Sequence, residues 1–312
     1  MPQAIDVLSV GELLVDLIGE SPADSLADTN SFRKYPGGSA ANLASNIARL
    51  GGNAALVASV GDDHLGSWLV EHVAATGANV QHVTPVDAPT TAVLVARTTG
   101  TPDFTVYRGA DALLQAKHVP ERLLRRARIF HTTCFALSRD PARSTILELA
   151  GIAASRGAQL SIDANYAPAI GPDPAATQIV MRRYCRHAPL VKLSADDVDR
   201  LFGEYTPPTN AISAFHEWGA SLVCVTLGAD GALISWERGE HTTRVPAAPV
   251  TLRGEATGAG DAFWAGFLTA YLQDLPPIDC AQAGSRMAAL KLSTDGPLPS
   301  SIDPAILRKP FA

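Results

Sequence analysis

The stretch Arg253 to Gln273, RGEATGAGDAFWAGFLTAYLQ, places two glycines and an aspartate immediately before a run with helical apolar spacing. Trp264, Phe267, Leu268 and Tyr271 recur at i, i+3, i+4 and i+7, the pattern of a helix face packed on a core. Asp261 therefore falls in the first turn of that helix. One reading is a turn eased by its glycines and capped by an aspartate, worth about 1 kcal/mol. The other is an anion site, because backbone N–H groups at a helix N-terminus point outward and the macrodipole favours negative charge. The rest of the chain has to decide between them.

The chain has 312 residues, 46% hydrophobic and 18% charged, the composition of a globular protein with material for a large core. A formal net charge of −6 gives no basic footprint for nucleic acid. No run approaches the roughly 18 to 20 apolar residues of a membrane helix, and MPQAIDVLSVGE lacks a basic leader, so the expectation is a cytoplasmic protein with no membrane partner. Cys134, Cys185, Cys224 and Cys280 stand apart without CxxC or zinc spacing and read as buried thiols.

Short β-prone runs begin at Ala4, Ala54, Ala127, Ala158, Pro189 and Ser221. Helix-period segments lie between them, around 42–50, 66–76, 142–156, 179–187 and 212–218. This alternation predicts an α/β protein with a doubly wound, mostly parallel sheet and helices on both faces. Several runs are apolar on nearly every residue, as strands covered on both sides are. The rhythm breaks at about 12–35 and 89–109, which predicts a small accessory β-sheet inserted in one domain covering 1–312. In an open α/β sheet, ligands bind beyond the carboxyl ends of the strands.

Three loops carry candidate chemistry. PGGSAANLASNIARLGG, Pro36 to Gly52, is a second glycine-rich helix entry. Gly37 and Gly38 would allow a close approach to the backbone, and Asn42 offers a donor and an acceptor, while a plainly capped helix explains the same residues. Asp16, at the exit of SVGELLVD, is a carboxylate able to accept from adjacent hydroxyls, or a solvated loop residue. VTLGADGALI, ending at Ile234, has Thr226, Gly228 and Gly231 where a strand stops in a tight turn and restarts. Two other motifs are excluded. GAGDAF has Phe263 where a dinucleotide fingerprint needs a small residue and lies far from the first βα unit, and no GxxxxGK[ST] is present.

In this order and spacing, PGGSAANLASNIARLGG with VASVGDDHLG, VTLGADGAL and EATGAGDAF resemble the signatures of the ribokinase and fructokinase superfamily, the pfkB-type carbohydrate kinases. The resemblance implies a ribokinase-like fold with a small β-sheet lid, and transfer of the ATP γ-phosphoryl group to a primary sugar hydroxyl. It implies Asp261 as catalytic base and the Gly258, Ala259, Gly260 backbone as anion hole. Physical chemistry agrees, since aligned N–H groups stabilise spreading phosphoryl charge and a carboxylate takes the hydroxyl proton.

Sugar contacts carry over to Asp16, Gly37, Gly38 and Asn42, with Tyr107 and Arg108 from the lid. Nucleotide contacts carry over to Thr226, Gly228, Gly231 and Ser285. Mg²⁺ is implied between the phosphates. The chain departs from the family at three places. In KLSADD, Ser194 and Asp197 replace a longer Asn and Glu, so that Asp197 is expected to reach a metal through water. Ala167 stands where many fructokinases and ketodeoxygluconate kinases have arginine. Glu255 replaces the usual aspartate, which puts an activating K⁺ in doubt. VYRGADALL is most similar to the fructokinase lid, so fructose is the expected sugar, ahead of ribose and 2-keto-3-deoxygluconate. A catalytically silent sugar- or nucleotide-binding protein on the same fold is the reading from another class, and exposed lid edges suggest a homodimer.

Overall fold

The computed structural model describes residues 4–98, 103–171, 173–253, 257–294 and 296–308. Its large sheet begins with β1 (Ile5–Val10), whose neighbours Val7 and Leu8 are both fully buried yet belong to opposite hydrophobic clusters. The same split recurs at Leu56 and Val57, at Ile129 and Phe130, and along Leu222 to Val225. Adjacent apolar residues that bury into opposite clusters mark strands covered on both faces, as the sequence pattern predicts.

The chain leaves β1 for a separate hairpin, β2 (Leu14–Pro22) and β3 (Phe32–Gly37), then α1 (Ser39–Arg49), β4 (Ala54–Gly61), α2 (His64–Ala74) and β5 (Asn79–Val86). It returns to the small sheet for β6 (Ala92–Arg97) and β7 (Phe104–Tyr107), and passes through the single turn α3 (Glu121–Leu124). It re-enters the large sheet at β8 (Ala127–Thr133), α4 (Ala142–Ser155), β9 (Gln159–Asp163), α5 (Pro174–Cys185) and β10 (Leu190–Ser194). Helices α6 (Ala195–Phe202) and α7 (Pro208–Trp218), strands β11 (Leu222–Thr226), β12 (Ala232–Trp236) and β13 (His241–Val245), and helices α8 (Ala259–Tyr271) and α9 (Pro277–Ser293) complete it.

The nine-stranded sheet runs β13-β12-β11-β10-β9-β8-β1-β4-β5, parallel except for β12 and β13 at one edge. Helices α1, α2, α8 and α9 supply side chains to one cluster and α4 to α7 to the other, which gives the doubly wound architecture. Successive connections move away from β1 in opposite directions, to β4 and to β8, so the crevice beyond the ends of β1 and β8 is the topological switch point. Trp264 and Phe267 stack with centroids 4.6 Å apart, both fully buried, and Trp264 Nε1 donates to Ser161 Oγ at 2.8 Å. Burial of such a ring contributes about 1.5 to 3 kcal/mol, enough to pin α8 to the sheet.

The two predicted irregular segments form one four-stranded sheet, β3-β2-β6-β7, separate from the main one. Its centre is a parallel β2–β6 pair with Asp16 opposite Val93, flanked by antiparallel β3 and β7. All four cysteines are free and buried. No helix among the described residues is long and apolar enough to cross a membrane.

Candidate functional site

Gly258 caps α8 with φ of +80°, a left-handed conformation that favours glycine. The N–H groups of the first turn have no intrahelical acceptor, which leaves Ala259, Gly260 and Asp261 at an electropositive helix end. A Cβ on Gly260 would lie 2.9 Å from Lys192 Nζ. The absence of a side chain there makes room for a lysine, a reason the sequence did not disclose.

Helix α1 meets this turn head on. Ser39 Oγ donates to Asp261 Oδ1 at 2.6 Å, and Asn42 Nδ2 donates to Oδ2 at 2.8 Å. Burial raises the Asp261 carboxyl, while Ser39, Lys192 and Asn42 pull it back down. The two glycine-rich helix entries therefore meet at Asp261, and Ser39, not among the candidate residues, is part of the contact.

The start of α1 is fixed by the exit of β1. Glu12, nearly fully buried, accepts from Ser39 N at 2.7 Å, Ala40 N at 3.3 Å and Thr133 Oγ1 at 2.6 Å, tying together β1, β8 and α1. Its carboxyl is pushed up to about 7, chiefly by burial. Gly38, with φ of +99°, caps α1, and a Cβ there would stand 2.5 Å from Glu12 O. A Cβ on Gly37 would stand 2.2 Å from Asp16 Oδ2. Both glycines are thus required by protein neighbours. Asp16, on β2, is pushed up to about 7 by burial and then by the Asp261 carboxylate, so two acids share one crevice.

A cleft of about 490 Å³ opens beside them, walled by Asp16, Asn42 and Gly258 and by Arg33, Tyr35 and Arg49. Tyr107, at the end of β7, is 62% exposed and outside this lining. Arg108, expected to reach a sugar, is anchored elsewhere. Its Nη2 and Nε donate to Asp111 at 2.6 and 3.1 Å, its Nη1 donates to Ser138 Oγ at 2.7 Å, and its guanidinium lies 4.2 Å from the Phe135 ring centre. With the pair almost wholly buried, all three nitrogens are committed to the protein.

Thr226 ends β11, and its Oγ1 donates to Leu193 O at 3.3 Å. Gly228 and Gly231 have φ of +60° and +87°, and a Cβ on Gly231 would stand 2.1 Å from Val245 O. The turn they form is the predicted one, continued by the antiparallel strands β12 and β13. Ser285, on α9, accepts from Ala248 N at 2.7 Å and so holds the segment that leads toward α8.

Ser194 and Asp197, expected near a metal, form a capping box on α6. Asp197 accepts from Ser194 N and Ser194 Oγ, each at 2.7 Å, and from Tyr166 N at 2.9 Å. No three His, Cys, Asp or Glu converge among the described residues. Both side chains thus serve the cap of α6. Glu255 lies outside the described residues.

The model of the pfkB family carbohydrate kinases matches residues 4–303. The chain is 34% identical over 290 residues to an ATP-dependent 6-phosphofructokinase of Thermoanaerobacterium thermosaccharolyticum, covering 92% of this chain and 88% of that one. It is 34% identical over 274 residues to fructokinase-1 of Zea mays, covering 86% and 83%. Among solved structures it resembles Halothermothrix orenii fructokinase (31% identity, TM-score 0.79, 94% of this chain and 100% of that one). It also resembles an uncharacterized sugar kinase from Pyrococcus horikoshii in complex with ATP (25% identity, TM-score 0.83, 97% and 99%).

Proposed function

Because the chain belongs to the pfkB family of carbohydrate kinases, phosphotransferases with an alcohol acceptor, we propose that it moves the γ-phosphoryl group of ATP to a primary hydroxyl of fructose. The observation that carries this reading is the Asp261 carboxylate, held by Ser39 and Asn42 in the first turn of α8 at the edge of the cleft. Asp261 takes the proton of the acceptor hydroxyl, and the N–H groups of Gly258, Ala259 and Gly260 stabilise charge on the transferred group. Asp16 and Asn42 hold sugar hydroxyls, and the turn at Thr226, Gly228 and Gly231 receives the nucleotide, which enters as ATP·Mg²⁺. The metal would enter with the nucleotide and would neutralise phosphate charge.

Two features support a neutral ketose over an acid sugar. Ala167, where many ketodeoxygluconate kinases have arginine, is buried and offers no charge, and Arg108 is already paired with Asp111. An unpaired ion in a closed site costs several kcal/mol. A second reading has its own support: Arg33, Arg49, Arg97, Arg253 and Lys291 line the cleft against the carboxylates of Asp16 and Glu20. Such a wall suits a ketohexose that already bears a phosphate, the substrate class named by the Thermoanaerobacterium relative. ADP release from ATP·Mg²⁺ with fructose, fructose 6-phosphate, ribose and 2-keto-3-deoxygluconate separates these readings. No turnover with any of the four would leave a silent binding protein. The small sheet acts as a lid over the acceptor, and its outer strands β3 and β7 are where a homodimer forms, testable by light scattering.

A further inference from the structure

A buried cation stands at the site without a part in the chemistry described so far. Lys192, on β10, has apolar buried neighbours at Leu190, Val191 and Leu193. Its Nζ donates to Asp163 Oδ2 at 2.8 Å, with the two side chains 6% and 2% exposed. That Nζ lies 2.9 Å from where a Cβ of Gly260 would be, directly beneath the turn that carries Asp261.

Packing alone does not account for an ammonium there. Burying it costs free energy, and the N-terminus of a helix repels cations. A methionine would fill a similar volume without either cost. The neighbouring charges supply the reason. Among the described groups facing Asp261, Asp16 from β2 and Asp163 from β9 are carboxylates, Ser39 and Asn42 from α1 are neutral donors, and Lys192 is the cation. Burial alone would lower Lys192, but the carboxylate of Asp163, followed by those of Asp197 and Asp261, holds it above the usual lysine range and charged.

We propose, building on the kinase reading, that Lys192 clamped by Asp163 is a positioning residue whose ammonium is the counter-charge that makes Asp261, rather than Asp16, the ionised carboxylate at the acceptor hydroxyl. Two carboxylates in one water-poor crevice share a proton unless their surroundings differ. Asp16 sits in the small sheet, on β2 against Gly37, whereas the Lys192 ammonium lies under Gly260, the residue next to Asp261. The lysine therefore breaks the symmetry of the pair. Asp163 holds the ammonium below the helix end, so the space above it stays free for the transferred group.

The test is the pH profile of kcat/KM, using whichever sugar the wild-type protein phosphorylates, in Lys192→Met, Asp163→Asn and the double variant. Lys192→Met is expected to move the acid limb upward by about one pH unit or more, a roughly tenfold loss below the limb that is regained at alkaline pH, with KM for ATP unchanged. Asp163→Asn, which removes a repelling carboxylate, moves the limb the opposite way. The double variant removes the buried ion pair as a unit, so it serves if Lys192→Met fails to fold, and its limb also lies above wild type. A loss that is uniform across pH, with the wild-type limb retained, overturns the proposal. Carbon-13 NMR titration of the Asp261 carboxyl needs no turnover. If the wild-type protein phosphorylates no sugar, the kinase reading falls, while an Asp261 midpoint unmoved by the Lys192 substitutions separately refutes the coupling.

Discussion

Replacing Asp261 by Asn separates the chemistry of the site from its architecture. The Asp261 carboxylate accepts from Ser39 Oγ at 2.6 Å and from Asn42 Nδ2 at 2.8 Å. An asparagine of nearly the same shape keeps both contacts if its Oδ1 faces Asn42 and its Nδ2 donates to the Ser39 hydroxyl, which can rotate to accept. The contact between α1 and α8 therefore survives. The proton acceptor does not, and loss of a general base costs about 10²- to 10⁴-fold, or roughly 3 to 5 kcal/mol of transition-state stabilisation. Stability should not fall with activity. Burial raises the Asp261 carboxyl in the folded state, so its ionised form opposes folding as pH rises. The substituted amide carries no charge to bury, and the melting temperature of the Asp261→Asn variant at about pH 7.5 is expected to equal or exceed that of the wild type. The assay is steady-state ADP release, with calorimetric sugar binding and thermal melts as controls. Near-normal kcat in a folded Asp261→Asn variant refutes the assignment of the base.

Gly260→Val should cost at least about tenfold in kcat, because its Cβ meets Lys192 Nζ; unchanged turnover would show that the close approach is immaterial. Fructose should exceed 2-keto-3-deoxygluconate in kcat/KM by at least roughly tenfold, about 1.4 kcal/mol, and a preference for the acid sugar would refute the weight placed on Ala167 and the Arg108–Asp111 pair. ATP hydrolysis without sugar should be much slower than transfer with it if the lid excludes water, and equal rates of ADP release count against closure. Asp16 has a folded-state value of about 7 against 3.8, so its stability contribution is complete below about pH 4 and is lost as pH rises through 7. Asp16→Asn should accordingly melt higher than wild type at about pH 8 and converge with it toward about pH 4, and parallel melting curves would contradict that.

The sequence disclosed most where one residue type has one physical use. Runs apolar on nearly every residue forecast strands covered on both faces, and Val7 and Leu8 do point into opposite clusters. Glycines beside helix starts marked the two turns that meet at Asp261. The edge strand β5 was not read, because NVQHVTPV mixes polar and apolar residues and lacks the signal of a buried strand. Helix α6 gives little signal because it has only eight residues and opens on the polar run Asp196 and Asp197. The parallel pairing of β2 with β6 joins residues some 75 positions apart, and no local pattern encodes it.

The residues that sequence reasoning passed over share one property that it could have used. Glu12, Asp163 and Lys192 are each at or within two residues of the carboxyl end of an apolar parallel strand, at β1, β9 and β10. A charge at such a place would be buried under the crevice of a doubly wound sheet, and a buried charge persists only with partners. Glu12 finds them in Thr133 and the first turn of α1, Lys192 and Asp163 in each other. The motif glycines show where a ligand approaches; the charges that interrupt apolar strands show which electrostatic field it meets. In this protein the two meet at Gly260, whose missing side chain admits the lysine.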